Sequence, residues 1–331
     1  MKAIVQDEYG EAEDVLRLEE IDRPEIGDNE VLLRVHAAGV DRGVWHLVAG
    51  LPYLVRVAGY GLRSPKNGTP GLDVAGRVDQ VGGEVTTLKP GDEVFGIADG
   101  SFAEFAIAGE DKLLPRPENL TPEQAASVPV SALTALQGLR DHGLVRSGQK
   151  VLIIGASGGV GTFAVQIAKA SGAEVTGVCS GSKVDLVRSL GADHVIDYTR
   201  ESFAESEERY DVILDIGGNS PLSRLRGVLI PQGRLVIVGG ETGGRWLGGT
   251  DRQLRALALS PFVSQKLTTF VSPENSTDLK VISESIESGK VTPVIDRTYP
   301  LDEVPEAIRY MQEGRARGKV VIEVGGDVDR R

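Results

Sequence analysis

From Met1 to about Leu120, apolar and polar positions alternate in short runs: KAIV, NEVLLRVHAAGV, AGRVDQVG, DEVFGI and FAEFAIAG, separated by turn-rich KPGD and PRPEN. Runs of this length, broken by Pro, Gly and Asp, predict β-strands and hairpins. After Thr121 the period changes. Pro122 follows an N-cap threonine, and the segment to Leu139 carries Ala, Leu and Val at helical spacing. Uninterrupted apolar runs then alternate with helix-length stretches: VLII at 151–154, EVTGVC at 174–179, HVIDY at 194–198, DVILDI at 211–216 and RLVIVG at 234–239. Strands apolar on both faces and joined by helices predict a doubly wound parallel α/β sheet. KLTTFVS at 266–272 fits one more strand, and TDLKVISESIESGK at 277–290 fits a helix covering it. Beyond Val291, TPVIDRTYPL, EVPEAIRYM and GKVVIEV return to the opening pattern. The chain therefore divides into a β-rich domain, 1–124 completed by 291–331, around an α/β domain, 125–290, with DVDRR as a solvated end.

The stretch VLIIGASGGVGTFAVQIAKASGAEVTGVCS joins strand, glycine turn, helix and second strand in the length a βαβ unit needs. Ala156, Gly158 and Gly161 occupy the small-residue positions for the tight turn, the approach to a pyrophosphate and helix-on-strand packing. Alanine at the first of these requires a negative φ there. Val160, Phe163, Ala164, Ile167 and Ala168 share one helical face. The backbone from Ala156 through Ser157, Gly158, Gly159, Val160 and Gly161 is thus the expected diphosphate grip of a dinucleotide site. An NAD site usually has an acidic side chain at the end of the second strand. Here the strand ends Cys179, Ser180, Gly181, Ser182, Lys183, with no carboxylate before Asp185. Hydroxyls and an ammonium suit a 2′-phosphate, so NADPH is expected over NADH. The alternative is that Lys183 is a solvated helix-start lysine and the serines are caps.

Composition narrows the class. At 331 residues the chain exceeds the usual size of a single core, and 48 acidic against 36 basic side chains give a net charge of −12. Nucleic acid and anionic membrane are disfavoured partners. Cys179 is the sole cysteine, so an internal disulfide or a zinc site of several thiolates is excluded, and a reducing, cytoplasmic setting is expected. Asp7 and Glu8 stand where a secretory signal would be apolar. The uncharged run Val151–Ala168 is cut by Gly155, Gly158, Gly159 and Gly161 and does not read as a membrane span.

Taken together, AAGVDRGVWHLVAGLPY, PGLDVAGRVDQVG, LKPGDEVFG, SFAEFAIA, PVSALTALQGL, GASGGVG, LGADHVIDY, DVILDIGG, GRLVIVGG and GKVVIEV cover most of the chain in one order. In that order the chain resembles the zinc-free quinone oxidoreductase branch of the medium-chain dehydrogenase/reductase superfamily. The resemblance implies a GroES-like β domain split between the two ends, a Rossmann domain between them, NADPH in the cleft, and homodimers joined through the Rossmann edge where KLTTFVS lies. By position it also implies Ser180, Lys183 and Tyr198 as 2′-phosphate and adenosine contacts. On the nicotinamide side it implies Thr134 and the backbone at Gly239 and Gly240, with Phe270 and Val271 near the ring. Lys319 is implied as a further cofactor contact. Asp215, at a strand end, is expected to hold a loop. Asp41 stands where relatives commonly place an asparagine beside the nicotinamide; it is either an acceptor for the carboxamide NH₂ or a turn aspartate bonded to its own backbone.

Zinc-dependent relatives carry a cysteine where this chain has Asp41, and a Gly-His-Glu triplet where it has Gly71, Leu72 and Asp73. His36, His46, His142 and His194 are scattered, and only His46 falls near the expected cleft. Without a Lewis acid, a conjugated acceptor that spreads the incoming charge is the better substrate, so a small quinone or α,β-unsaturated carbonyl is expected. Tyr53 is either the proton donor or substrate hydrogen-bonder, or an aromatic wall. The segments 51–69, with Arg56 and Arg63, and 241–251, with Arg245 and Trp246, are expected to shape the pocket. Two other functions stay open: a zinc-free aldehyde or ketone reductase, and an NADPH-binding protein without turnover.

Overall fold

The opening runs fold as antiparallel strands. A computed structural model describes residues 1–240 and 244–325. Glu241–Gly243 of the expected pocket segment and the terminal DVDRR lie outside the described residues. β1 (Lys2–Val5) pairs with β2 (Arg17–Glu20), Ala3 opposite Glu19. β3 (Glu30–Val40), β4 (Asp73–Val81), β5 (Glu93–Ile97), β6 (Phe105–Gly109) and β7 (Leu113–Pro115) follow. β3 is long enough to serve several neighbours: Val31–Ala38 pairs with β4, while its first half, Glu30–Arg34, also pairs with β6. β5 continues from β4, and β7 from β5. The alternation seen in sequence buries Val31, Leu33 and Val35 from β3 with Val74, Val78 and Val94.

The α/β unit contains β8 (Lys150–Ile154), β9 (Glu174–Cys179), β10 (His194–Asp197), β11 (Tyr210–Asp215), β12 (Leu229–Ile237) and β13 (Lys266–Thr269), all parallel, in the order β10-β9-β8-β11-β12-β13. Leu152, Ile153, Ile213, Leu214, Leu235 and Val236 are fully buried in it, as expected of strands covered on both faces. The strand order reverses between β8 and β11, and doubly wound sheets bind ligands at the carboxyl edge beside such a reversal. The helix Gly159–Ala170 is buried nearly all round, from Gly161 through Ala168, so its apolar stripe is wider than the single face read from sequence. Gln166 is accommodated because its amide bonds to Thr162 and to both backbone groups of Thr292.

The chain then returns to the first unit. β14 (Ile295–Pro300) pairs parallel with β15 (Lys319–Glu323), and β15 pairs antiparallel with the second half of β3, Val320 opposite Val40. The helix Val304–Gln312 buries Val304, Ala307 and Ile308 against the core that contains Val44, Val48 and Phe102.

Three expectations need correction. The helical segment after Thr121 is broken: a capped turn Pro122–Ala126, with Thr121 and Gln124 in a reciprocal capping box, ends before Pro129 opens a second helix to Gln137. Proline at 129 has no N–H for a continuous ladder and clashes with the preceding turn. The expected boundary at 125 moves, because the chain divides into Met1–Ser131 with Glu274–Glu287 and the residues from Pro293, and Ala132–Pro273 with Ser288–Thr292. Finally, the helix Ser276–Glu287 does not cover the Rossmann sheet. It belongs to the first unit, where Asn119 Nδ2 donates to Ile286 O at 3.2 Å and Leu279, Ile282 and Ile286 are buried. Amphipathic spacing defines an apolar face but not the surface that receives it.

Candidate functional site

At the end of β8 the backbone turns in a left-handed conformation at Gly155, φ +88°, one residue before the first small-residue position. Ala156 keeps a negative φ, and the N–H groups of Gly155 and Ala156 both donate to Val178 O at 3.1 Å, which ties the turn to β9. The later glycines differ in kind. A Cβ on Gly161 would stand 2.1 Å from Gly155 O, so packing alone demands glycine there. Among the described residues a Cβ on Gly158 would meet nothing closer than Gly155 O at 3.6 Å, so they leave that side open. Gly158 is the N-cap of the helix Gly159–Ala170, whose first intrahelical bond runs from Thr162 N to Gly158 O at 2.9 Å. The N–H groups of Gly159, Val160 and Gly161 precede that bond and carry the positive end of the helix dipole. An open glycine before three such donors, at the carboxyl edge beside the strand-order reversal, fits a dinucleotide diphosphate. Ser157 is buried within the same turn.

At the end of β9, Ser180 is half-buried and leads into the 3₁₀ turn Gly181–Lys183. Asp185 points to solvent and pairs with Arg188 at 3.7 Å. A carboxylate nevertheless lies close by, supplied by the next strand. Asp197 accepts from Thr199 N at 3.0 Å and Thr199 Oγ1 at 2.7 Å, and a Cβ on Gly181 would come within 2.5 Å of its Oδ2. Those hydrogen bonds from Thr199, above all, hold its carboxyl below the usual range. Its acceptor capacity is directed at the chain, and no local sequence signal announces it because Asp197 reaches the Gly181 turn from the neighbouring strand. Tyr198 is 63% exposed, with its N–H on Cys179 O. Burial pushes the Cys179 thiol up to about 11, so it is no nucleophile at neutral pH.

Thr134 is buried in the helix Pro129–Gln137. Phe270 stacks on His142, ring centroids 4.2 Å apart, and Val271 is 92% exposed. Gly239, just past β12, is packed so tightly that a Cβ would lie 2.2 Å from Ile216 O. Asp215 does hold a loop: its Oδ1 accepts from Gly218 N at 3.2 Å, and its Oδ2 is paired with Arg252.

The first unit gathers a different set. Asp41 caps the helix Arg42–Ala49, its Oδ1 accepting from Val44 N at 3.0 Å, while its buried Oδ2 has no hydrogen-bond partner. The turn reading of Asp41 is therefore met by one oxygen and leaves the other over. Lys319 departs from its expected role as a cofactor contact. Its side chain is 1% exposed and its Nζ lies 2.9 Å from Asp73 Oδ2, so its charge is committed to a buried pair. Asp73 Oδ1 accepts from Val130 N at 2.8 Å. Burial pushes the Asp73 carboxyl up to about 6 against the opposing pull of Lys319, with the charge of Asp41 adding to the rise. Gly39 is required beside this pair, since its Cβ would sit 2.7 Å from Asp73 Oδ2 and 2.5 Å from Ala126 O. His46 Nδ1 lies 2.7 Å from Leu51 O, and burial lowers its basicity. Tyr53 opens a short helical turn and faces the Arg56 guanidinium at 4.8 Å.

Among the described residues no group of three or more His, Cys, Asp or Glu side chains is placed to hold a metal ion. No helix among them is long and apolar enough to cross a membrane. A concavity of about 1390 Å³ on the first unit is lined by residues such as Arg34, Arg77, Glu93 and Phe105, and by none of those just described.

Comparison with known proteins places these features. Residues 27–118 match the family described as alcohol dehydrogenase GroES-like domain, and residues 190–322 match that described as zinc-binding dehydrogenase. A mitochondrial NAD(P)H oxidoreductase of Mus musculus is 35% identical, covering 98% of this chain and 89% of its own length. The 2-methylene-furan-3-one reductase of Solanum lycopersicum is 34% identical, covering 97% and 79%. Among solved structures, the quinone oxidoreductase from Coxiella burnetii superposes with a TM-score of 0.87 at 28% identity, covering 98% of this chain and 99% of its own.

Proposed function

Because the chain belongs to the quinone oxidoreductase branch of the medium-chain dehydrogenase/reductase superfamily, we propose that it is an NADPH-dependent, zinc-independent reductase of quinones or α,β-unsaturated carbonyls. The observation that carries this reading is the open glycine at 158 ahead of helix-start amides that precede the bond from Thr162 N to Gly158 O. When bound, NADPH supplies a hydride from C4 of its nicotinamide. The chain's own tasks are then to grip, orient and keep water away. Gly159, Val160 and Gly161 donate to the diphosphate; Ser180 and Lys183 meet the 2′-phosphate and Tyr198 the adenosine. Thr134, Gly239, Gly240, Phe270 and Val271 frame the nicotinamide end. The preference for a 2′-phosphate is supported by the direction of Asp197, whose carboxylate is spent on Thr199 and the Gly181 turn.

Zinc independence is supported by the donor set. Asp41 is a helix cap, and both oxygens of Asp73 are committed, to Val130 N and to Lys319. With no strong electrophile to stabilise an alkoxide, an acceptor that delocalises the new charge is favoured. The relative from S. lycopersicum is named for reduction of such a conjugated ketone. Tyr53 is assigned to hydrogen-bond the acceptor and hand over its proton, and Asp41 Oδ2 to accept from the carboxamide NH₂. A homodimer through the β13 edge is supported by exposed apolar side chains on the helix and turn packed beside it: Leu254, Leu257 and Phe262 are 57%, 44% and 85% exposed. A reducing, cytoplasmic setting suits the single buried thiol of Cys179.

The test is a side-by-side assay of a quinone, an enone and a plain ketone with NADPH. The reading expects turnover on the first two and little on the third. Preference for the ketone would favour a carbonyl reductase, and tight NADPH binding with no turnover at all would favour a non-catalytic binder. Full turnover by Tyr53→Phe at every pH would remove the donor role.

A further inference from the structure

The turns at the carboxyl ends of β8, β11 and β12 are packed backbone on backbone. A Cβ on Gly155 would lie 3.1 Å from Gly217 N, and one on Gly239 would lie 2.2 Å from Ile216 O. A Cβ on Gly249, at φ +85°, would lie 2.7 Å from the carbonyl carbon of Gly240. Glycine permits this closeness but does not fix an orientation, since it is the residue with the greatest backbone freedom. The fixing group comes from the helix Thr250–Leu259. Arg252 Nη1 bonds Asp215 Oδ2 and donates to Ser220 O at 2.9 Å, while Nη2 donates to Gly239 O at 3.0 Å. Asp215 is fully buried, and its other oxygen takes the Gly218 N–H. One guanidinium therefore joins the end of β11, the loop after it and the end of β12.

The consequence follows from peptide geometry. In a planar trans peptide the carbonyl and the next N–H point in opposite directions. With the Gly239 carbonyl held on Arg252, the Gly240 N–H is aimed away from Arg252. We propose that Arg252, seated on Asp215, is a positioning residue that orients the Gly239–Gly240 peptide so that its N–H meets the nicotinamide carboxamide oxygen. This rests on the NADPH reading above. Burial pushes the Asp215 carboxyl up while Arg252 pulls it down, as expected of a pair held inside the fold.

The experiment compares two ligands by calorimetry: NADPH, and adenosine 2′,5′-bisphosphate, which shares the 2′-phosphate half but has no nicotinamide. Arg252→Gln is expected to weaken NADPH by about threefold to tenfold, the loss of one amide–carbonyl hydrogen bond, and to leave the bisphosphate within about twofold. Arg252→Lys keeps a cation opposite Asp215, which protects folding, yet its donors radiate from one nitrogen and cannot span acceptors that Arg252 serves from two, Nη1 and Nη2; it should show the same split. Thermal unfolding of each variant checks that the fold is retained. Equal weakening of both ligands, or no weakening of either, overturns the inference. If the unaltered protein binds neither ligand, the cofactor reading fails and takes this inference with it; if it binds both and the variants match it, only the inference fails.

Discussion

The turn after β8 and the Asp41–Asp73–Lys319 cluster solve opposite problems. The turn makes no use of side-chain charge. It works through backbone, with Gly155 left-handed, Gly161 crowded and Gly158 open, and its donors are amides at a helix start. The cluster works through charge with the backbone in ordinary strand and cap conformations, and it brings together residues from β4, β15 and a helix cap. A site made of backbone tolerates almost no added atoms but is insensitive to pH. A site made of buried charge accepts isosteric change poorly and responds to every proton. Within one chain, then, ligand grip and internal charge balance are entrusted to different kinds of chemistry.

Four experiments would break or sharpen this contrast. The largest effect is expected for Lys319→Met, which leaves the fully buried Asp73 without its counter-charge and should cost about 3–5 kcal/mol in urea unfolding. That deficit should shrink in acid, where Asp73 takes a proton; a deficit independent of pH would separate Lys319 from Asp73. Next comes Gly161→Ala. Its Cβ would run into the backbone of Gly155 and Ala156, so it should lose about 1–3 kcal/mol of stability and cofactor binding together. Lys183→Ala should narrow the preference for NADPH over NADH about tenfold, roughly 1.4 kcal/mol, with thermal stability unchanged. Tighter NADH binding by the unaltered protein would end the 2′-phosphate reading.

The smallest effect is the pH dependence of stability in the unaltered chain. Folding raises the Asp73 carboxyl from 3.8 to about 6, so its contribution is complete below its unfolded value and is lost as pH rises through about 6. Burial lowers His46 from 6.5, so its contribution is present above that value and is lost as pH falls. The two oppose each other across the mildly acidic range. His46→Gln should remove the second and leave stability rising towards acid, as read from unfolding midpoints between pH 4 and pH 7.

The contrast also explains what could be read from the sequence. The strand runs, the βαβ length and the glycine spacing are local, and the sheet follows from them: VLII, EVTGVC, HVIDY, DVILDI and RLVIVG all lie in the parallel sheet. Long-range partners are not local. Nothing near Lys319 in sequence announces Asp73, and nothing near Asp215 announces Arg252; each pair meets because two distant strand or helix ends converge. Asp197 escaped notice for the same reason, since it reaches the Ser180 turn from the neighbouring strand. The helix at 276–287 shows the limit for packing: its apolar stripe was legible, but its receiving surface, the first unit, was not. Pro129 was visible as a breaker and should have divided the helix that the apolar spacing made continuous.

The most direct test of the account is a calorimetric titration of NADPH into the unaltered protein and into Gly158→Ala. Among the described residues the methyl group meets nothing closer than Gly155 O at 3.6 Å, so the variant should keep its melting temperature while losing at least about tenfold in affinity, because the added carbon stands where the diphosphate approaches. Undiminished affinity in the variant, or no heat of binding in the unaltered protein, would contradict the claim that this turn grips a dinucleotide.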